Sequence, residues 1–134
     1  MESAAAAALG IVAPSDRYPV EFLHYLIVAI RHYYDAGNTA NLQNPLAILT
    51  CVLDSLGHHE EAATISGFAA TAFTYASLPQ LNTTIAHLRD VLGESTHESL
   101  ARKGEVMTTS GMVAYAYDQI DQARAQLQQG IEKP

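Results

Sequence analysis

The sequence predicts an all-α protein. Twenty-two alanines and fourteen leucines favour helix. Apolar residues recur at helical spacing between sparse Gly and Pro positions, and no stretch alternates as a half-buried strand would. About six helices joined by short turns are expected. At 134 residues the chain suits one domain. Residues 1–17 read as an N-terminal arm or short helix and residues 18–130 as the helical domain.

The first strong helix spans Tyr18–Asp35, with Pro19 in its first turn and Gly37 just past its end. Its apolar residues cover most of the circumference, which calls for neighbours on more than one side. Asn44-Pro45 has the form of a second helix start, Asn as N-cap and Pro at the first position. Leu46, Leu49, Leu53 and Leu56 follow at helical spacing, and Gly57 stops that helix. The third begins at His58 or His59 with Glu60 and Glu61 in its first turn, where the macrodipole favours acids, and runs to about Tyr75. Ser77-Leu-Pro-Gln80 has the form of a capping box for a fourth helix ending at Gly93. Ser95-Thr-His-Glu98 repeats that form, with Ser95 as the cap of a fifth helix that Gly104 ends. Thr108 or Thr109 caps the last helix, whose stripe is Val113, Ala116, Ile120, Ala123 and Leu127, and Gly130 ends it.

The second and third helices resemble a tetratricopeptide-type hairpin. Gly57 takes the turn glycine, Leu46, Leu49 and Leu53 the large positions of the first helix, and Ala62 and Ala69 the small positions of the second. Thr50, Ser66 and Thr74 depart from the consensus Gly, aromatic and Pro. The resulting architecture is a set of tetratricopeptide-like stacked hairpins. Two longer strings carry a wider resemblance. "AIRHYYDAGNTANLQNPLAILTCVLDSLGHHEEAATISG" and "LPQLNTTIAHLRDVLGESTHESLARKGEVMTTSGMVAYAY" are similar to successive segments near the C-terminal end of actinobacterial LuxR-type ATPase transcriptional regulators and their adenylate-cyclase-like relatives. Leu92-Gly93, the run from Gly104 to Thr108, and that from Met112 to Tyr117 match in order and spacing, while Ser110 and Gly111 stand where that pattern usually has acids. The resemblance covers roughly residues 18–128. It implies a tail that senses or contacts protein, with catalysis and DNA binding carried elsewhere. No phosphate-binding Gly-rich loop is present here, so ATP hydrolysis is not implied.

Composition narrows the function classes. Fourteen acids against seven bases give a net charge of −7, which opposes broad contact with a phosphate backbone. The last helix carries Arg124 against Asp118 and Asp121, unlike a basic recognition helix. Residues 22–30 form the longest apolar stretch, about half of a membrane span, and His24 interrupts it. Glu2, rather than a basic region, precedes the alanine run, so a cytoplasmic chain is expected. The single cysteine, Cys51, allows no internal disulfide and sits among apolar residues as a small hydrophobe.

Candidate chemistry is thin. His58-His59-Glu60-Glu61 lacks the second histidine of a zinc motif, since Ala63 stands in its place, so it reads as a polar helix start and no metal or other cofactor is expected. His24 with Glu21 and His87 with Asp90 have the spacing of surface pairs, and His32 lies two turns from His24. No acid, base and nucleophile set emerges, which argues against an enzyme. The leading expectation is a non-catalytic protein-interaction or sensing module, contacting a protein partner or the domains of a parent regulator, without nucleic acid or membrane. A homodimer is expected through the first helix: Leu23, Ile27 and Tyr34 would pack inward, leaving Phe22, Tyr25, Ala29 and Tyr33 as an open apolar interface. The alternative is a small-ligand sensor with a pocket lined by Tyr25, Tyr33, Phe68 and Phe73.

Overall fold

Seven helices and no strand lie within residues 18–132, the part of the chain described by the computed structural model. They are α1 (Tyr18–Asp35), α2 (Thr39–Ser55), α3 (His59–Ala69), α4 (Ala72–Ser77), α5 (Gln80–Leu92), α6 (Glu94–Glu105) and α7 (Thr109–Glu132). The all-α class agrees with the sequence, and the seventh helix arises because the expected third helix divides into α3 and α4. The N-terminal arm, residues 1–17, lies outside the described residues. No helix among the described residues is long and apolar enough to cross a membrane.

Several boundaries differ from those expected, each for a local reason. Asn38, not Asn44, caps α2, its side-chain oxygen accepting from the Asn41 N–H at 3.2 Å. Pro45 is therefore carried inside the helix, where it cannot donate to the Asn41 carbonyl. Burial of Leu42 one turn before Leu46 offsets that loss. After Ala69 the backbone becomes extended at Ala70, and Thr71 opens α4 through a reciprocal capping box with Thr74. The Thr74 hydroxyl also donates to the Ala69 carbonyl at 2.7 Å, tying the end of α3 to the start of α4.

Neither expected Ser capping box forms. Ser77 closes α4 instead, its hydroxyl donating to the Phe73 carbonyl at 2.8 Å, and α5 starts at Gln80 without a side-chain cap. Ser95 lies inside the first turn of α6. Gly93, at φ +89°, ends α5 and opens α6 at once, a left-handed turn that leaves no spare residue for a cap. At the last helix Thr108 does cap, accepting from the Gly111 N–H at 3.0 Å, but α7 continues past Gly130 to Glu132.

The α2–α3 hairpin is the centre of the fold. Gly57 makes its turn at φ +89°, and Leu46, Leu49, Leu53, Ala62 and Ala69 are fully buried, as the tetratricopeptide-like spacing expects. The closest crossing is that of α3 on α6. A Cβ on Gly67 would run into the Ala101 backbone, and one on Gly104 into the Thr64 backbone. Gly104 is thus a buried contact glycine within α6 rather than the helix stop. α5 bridges α2, α3 and α6, and α7 returns to pack on α1. An open stack, in which each repeat meets only its neighbours, does not join its first and last helices in this way.

That return corrects the expectation for α1. Phe22, placed above on the open flank, is buried beside Leu23, Leu26 and Ile30, and its ring stacks on Tyr25 at 5.8 Å. Tyr25, Ala29 and Tyr33 are half-buried, as is Ile27 on the other edge of the apolar arc, while Tyr34 is exposed. The arc turns its middle inward because α2 and α7 lie on it together. The stripe left to solvent is Glu21, His24, Val28, Arg31, His32 and Asp35, which is polar apart from Val28.

Candidate functional site

Among the described residues, two places gather polar and aromatic side chains. The first lies where α1 turns into α2. Tyr33 and Tyr34 wall a half-open cleft of ≈ 220 Å³, with Leu42 buried behind them and Asn38, Thr39 and Thr109 at its edge. Gly37, at φ +70°, lets the chain reverse there, and its N–H donates to the Tyr34 carbonyl at 3.0 Å. Three helices build this cleft, since Thr109 opens α7. An aromatic wall, an apolar back and a hydroxyl-bearing rim suit an inserted side chain with a polar tip. Pockets for drug-sized ligands run from roughly 300 Å³ upward, so the cleft is small for one.

Of the four residues expected to line a ligand pocket, Tyr33 alone belongs to this cleft. Tyr25 stacks on Phe22, Phe68 lies in the last turn of α3, and Phe73 is exposed on α4. The fold separates them because α1 packs chiefly on α2 and α7, whereas α4 packs on α2 and α5.

The second place is a carboxylate held between two imidazoles. Asp54 sits in the last turn of α2, His59 opens α3 beyond the Gly57 turn, and His87 comes from α5. His59 Nδ1 lies 2.9 Å from Asp54 Oδ1, and His87 Nδ1 lies 2.9 Å from both carboxylate oxygens. The imidazole rings meet edge to face with centroids 5.6 Å apart. The side chains of Asp54, His59 and His87 are 11%, 27% and 49% exposed, so the carboxylate is sheltered while one imidazole stays open to solvent. His87 thus turns to Asp54 rather than to Asp90, the surface partner its spacing suggested.

The remaining singled-out residues serve local roles. His58 reaches Gln126 of α7 at 2.6 Å, away from the Asp54 cluster. Cys51 accepts from the Thr84 hydroxyl at 3.3 Å, one turn before Asp54 and His87 on the same pair of helices. Burial pushes the Cys51 thiol above its ordinary pKa, opposed by the Thr84 bond and reinforced by the Asp54 charge. His24 and His32 are exposed. The Asp54–His59 pair could have been suspected from two chemistry-bearing residues flanking a Gly turn. Its junction with His87 depends on a helix partnership 33 residues away that has no local signature.

Comparison with protein-family models, curated proteins and solved structures finds no match to the chain.

Proposed function

We propose that the protein is a non-catalytic helical interaction module that presents the Tyr33–Tyr34 cleft to a partner protein. Such a role is similar to that of the sensing or contact tail of LuxR-type ATPase regulators, which the sequence resembles. The observation that supports this reading is the cleft itself, which Tyr33 and Tyr34 line together with Leu42 and with Asn38, Thr39 and Thr109, side chains able to hydrogen-bond. Tyrosine anchors of this kind carry a large share of binding energy at protein interfaces. The cleft volume favours a docked side chain over a free small molecule. Burial, by raising the Cys51 pKa, disfavours the thiolate that a catalytic cysteine needs. The acidic balance favours a protein partner in the cytoplasm over nucleic acid. A bare apolar flank of α1 no longer supports a homodimer, and the cleft does not require one.

A photoreactive phenylalanine analogue at position 34, compared with the same probe at the exposed apolar Val91 of α5, tests the reading. A discrete adduct of fixed mass from position 34 and none from position 91 is expected in extract of the native host, a second copy of the chain being one such partner. Equal, diffuse labelling from both positions would count against it.

A further inference from the structure

We propose that Asp54, His59 and His87 form a binding site for a divalent transition-metal ion of the Zn2+ class. Three helices deliver one donor atom each, all within 4.8 Å of one another, and both histidines present the same ring nitrogen, Nδ1, to one carboxylate. The two Nδ1–Oδ1 separations of 2.9 Å are those of hydrogen bonds, so both ring nitrogens already converge on one carboxylate oxygen. Tetrahedral ligands about 2.0–2.1 Å from a Zn2+ ion stand about 3.3–3.4 Å apart, so a parting of about 0.4–0.5 Å lets the ion replace the hydrogen-bonding protons.

Two-imidazole, one-carboxylate donor sets suit Zn2+, Co2+ and Ni2+, and do not suit Mg2+ or Ca2+, which prefer oxygen. The set occupies three coordination positions. The half-exposed His87 leaves the others open to water and gives an ion a route in.

The placement of Asp54 adds an independent reason. A carboxylate in the last turn of a helix stands at the end already carrying partial negative charge, so helix electrostatics disfavour it there. A cation at the cluster removes that conflict more completely than two neutral imidazoles do. Binding requires both imidazoles neutral with the Nδ1 lone pair free. The ion then takes the place of the ring protons directed at Asp54, and the remaining ring proton resides on Nε2. The missing second histidine at Ala63 does not bear on this site, because His59 finds its partners across the Gly57 turn and on α5 rather than along its own helix.

The test is calorimetric titration of the tag-free full chain with Zn2+, paired with Co2+ absorption spectra. One ion per chain, and a visible Co2+ absorption band on titration, are expected. Asp54→Asn, which keeps the hydrogen-bonding shape, and His87→Ala should each weaken binding by at least about tenfold, the low end of what even an outer-shell change costs a metal site. His58→Ala, whose ring bonds Gln126, should leave binding unchanged, and circular dichroism confirms that each variant stays helical. Absence of one-to-one binding would overturn the proposal. So would binding that is indifferent to both Asp54→Asn and His87→Ala, since the ion would then sit elsewhere on this acidic chain.

Discussion

His97 carries an unmet polar demand. Its side chain lies inside the packing of α6 at 4% exposure, and neither ring nitrogen has a hydrogen-bond partner among the described residues. Burial, assisted by the Arg89 charge, holds its pKa below the ordinary 6.5 against the opposing pull of Glu94 and Glu98. The unfolded chain therefore binds the proton more readily than the folded one, so the fold is penalised as pH falls from 6.5 toward the lowered folded value, and no such penalty acts above pH 6.5. His97→Leu keeps most of the volume and removes both unpaired nitrogens. It should raise stability by about 1 kcal/mol at pH 7.5, and by more at pH 5, in urea titrations of the two proteins. A variant weaker than the parent at both pH values would mean that the ring's packing outweighs its unpaired atoms. In the sequence His97 reads as a member of a Ser capping box. Its burial follows from how α6 lies on α3 and α5, which no local pattern encodes.

Among the elements, α3 and α6 make the joint on which the others lean. Gly67 against Ala101 and Gly104 against Thr64 bring two backbones close enough to exclude even a methyl group. Helix propensity alone says that Gly104→Ala should stabilise α6 by about 1 kcal/mol. The contact says the reverse: backbone must move, at a cost of about 1–3 kcal/mol or more. Denaturant midpoints for Gly104→Ala and for the exposed neighbour Lys103→Ala separate the two. A loss for the first, with the second within about 0.5 kcal/mol of the parent, is expected, whereas a gain for Gly104→Ala would mean that α6 stands off from α3. The same glycine shows where element-level reading works and where it stops. Gly37, Gly57 and Gly93 mark turns as read, each with positive φ. Gly104 and Gly130 look identical in sequence yet lie inside helices, since a glycine that ends a helix and one that admits a neighbour differ in tertiary context alone. Asn38 and Thr71 went unread for a related reason. A Pro45 inside a helix and a Thr at the third position of a capping box are tolerated once packing offsets them.

At the scale of the whole molecule, the all-α class and the α2–α3 hairpin could be read from spacing, whereas the division into α3 and α4 and the return of α7 to α1 could not. Repeat-like sequence signals neighbour-to-neighbour packing, and the junction of first and last helices is a long-range consequence with no periodicity of its own. With α2, the α1–α7 junction buries the middle of the α1 apolar arc, leaves its edges half-buried, and brings Thr109 into the lining of the Tyr33–Tyr34 cleft. Helix α1 is therefore packed into one cooperative unit with α2 and α7. Native-state hydrogen exchange resolved by peptide reads this most directly, because local opening energies report packing rather than helix content. Backbone amides in residues 22–32 of α1 should be protected to the same degree as those in residues 62–67 of α3, both opening with global unfolding. Exchange in α1 at the rate of an unpacked helix, while α3 stays protected, would mean that α1 is not packed into that unit.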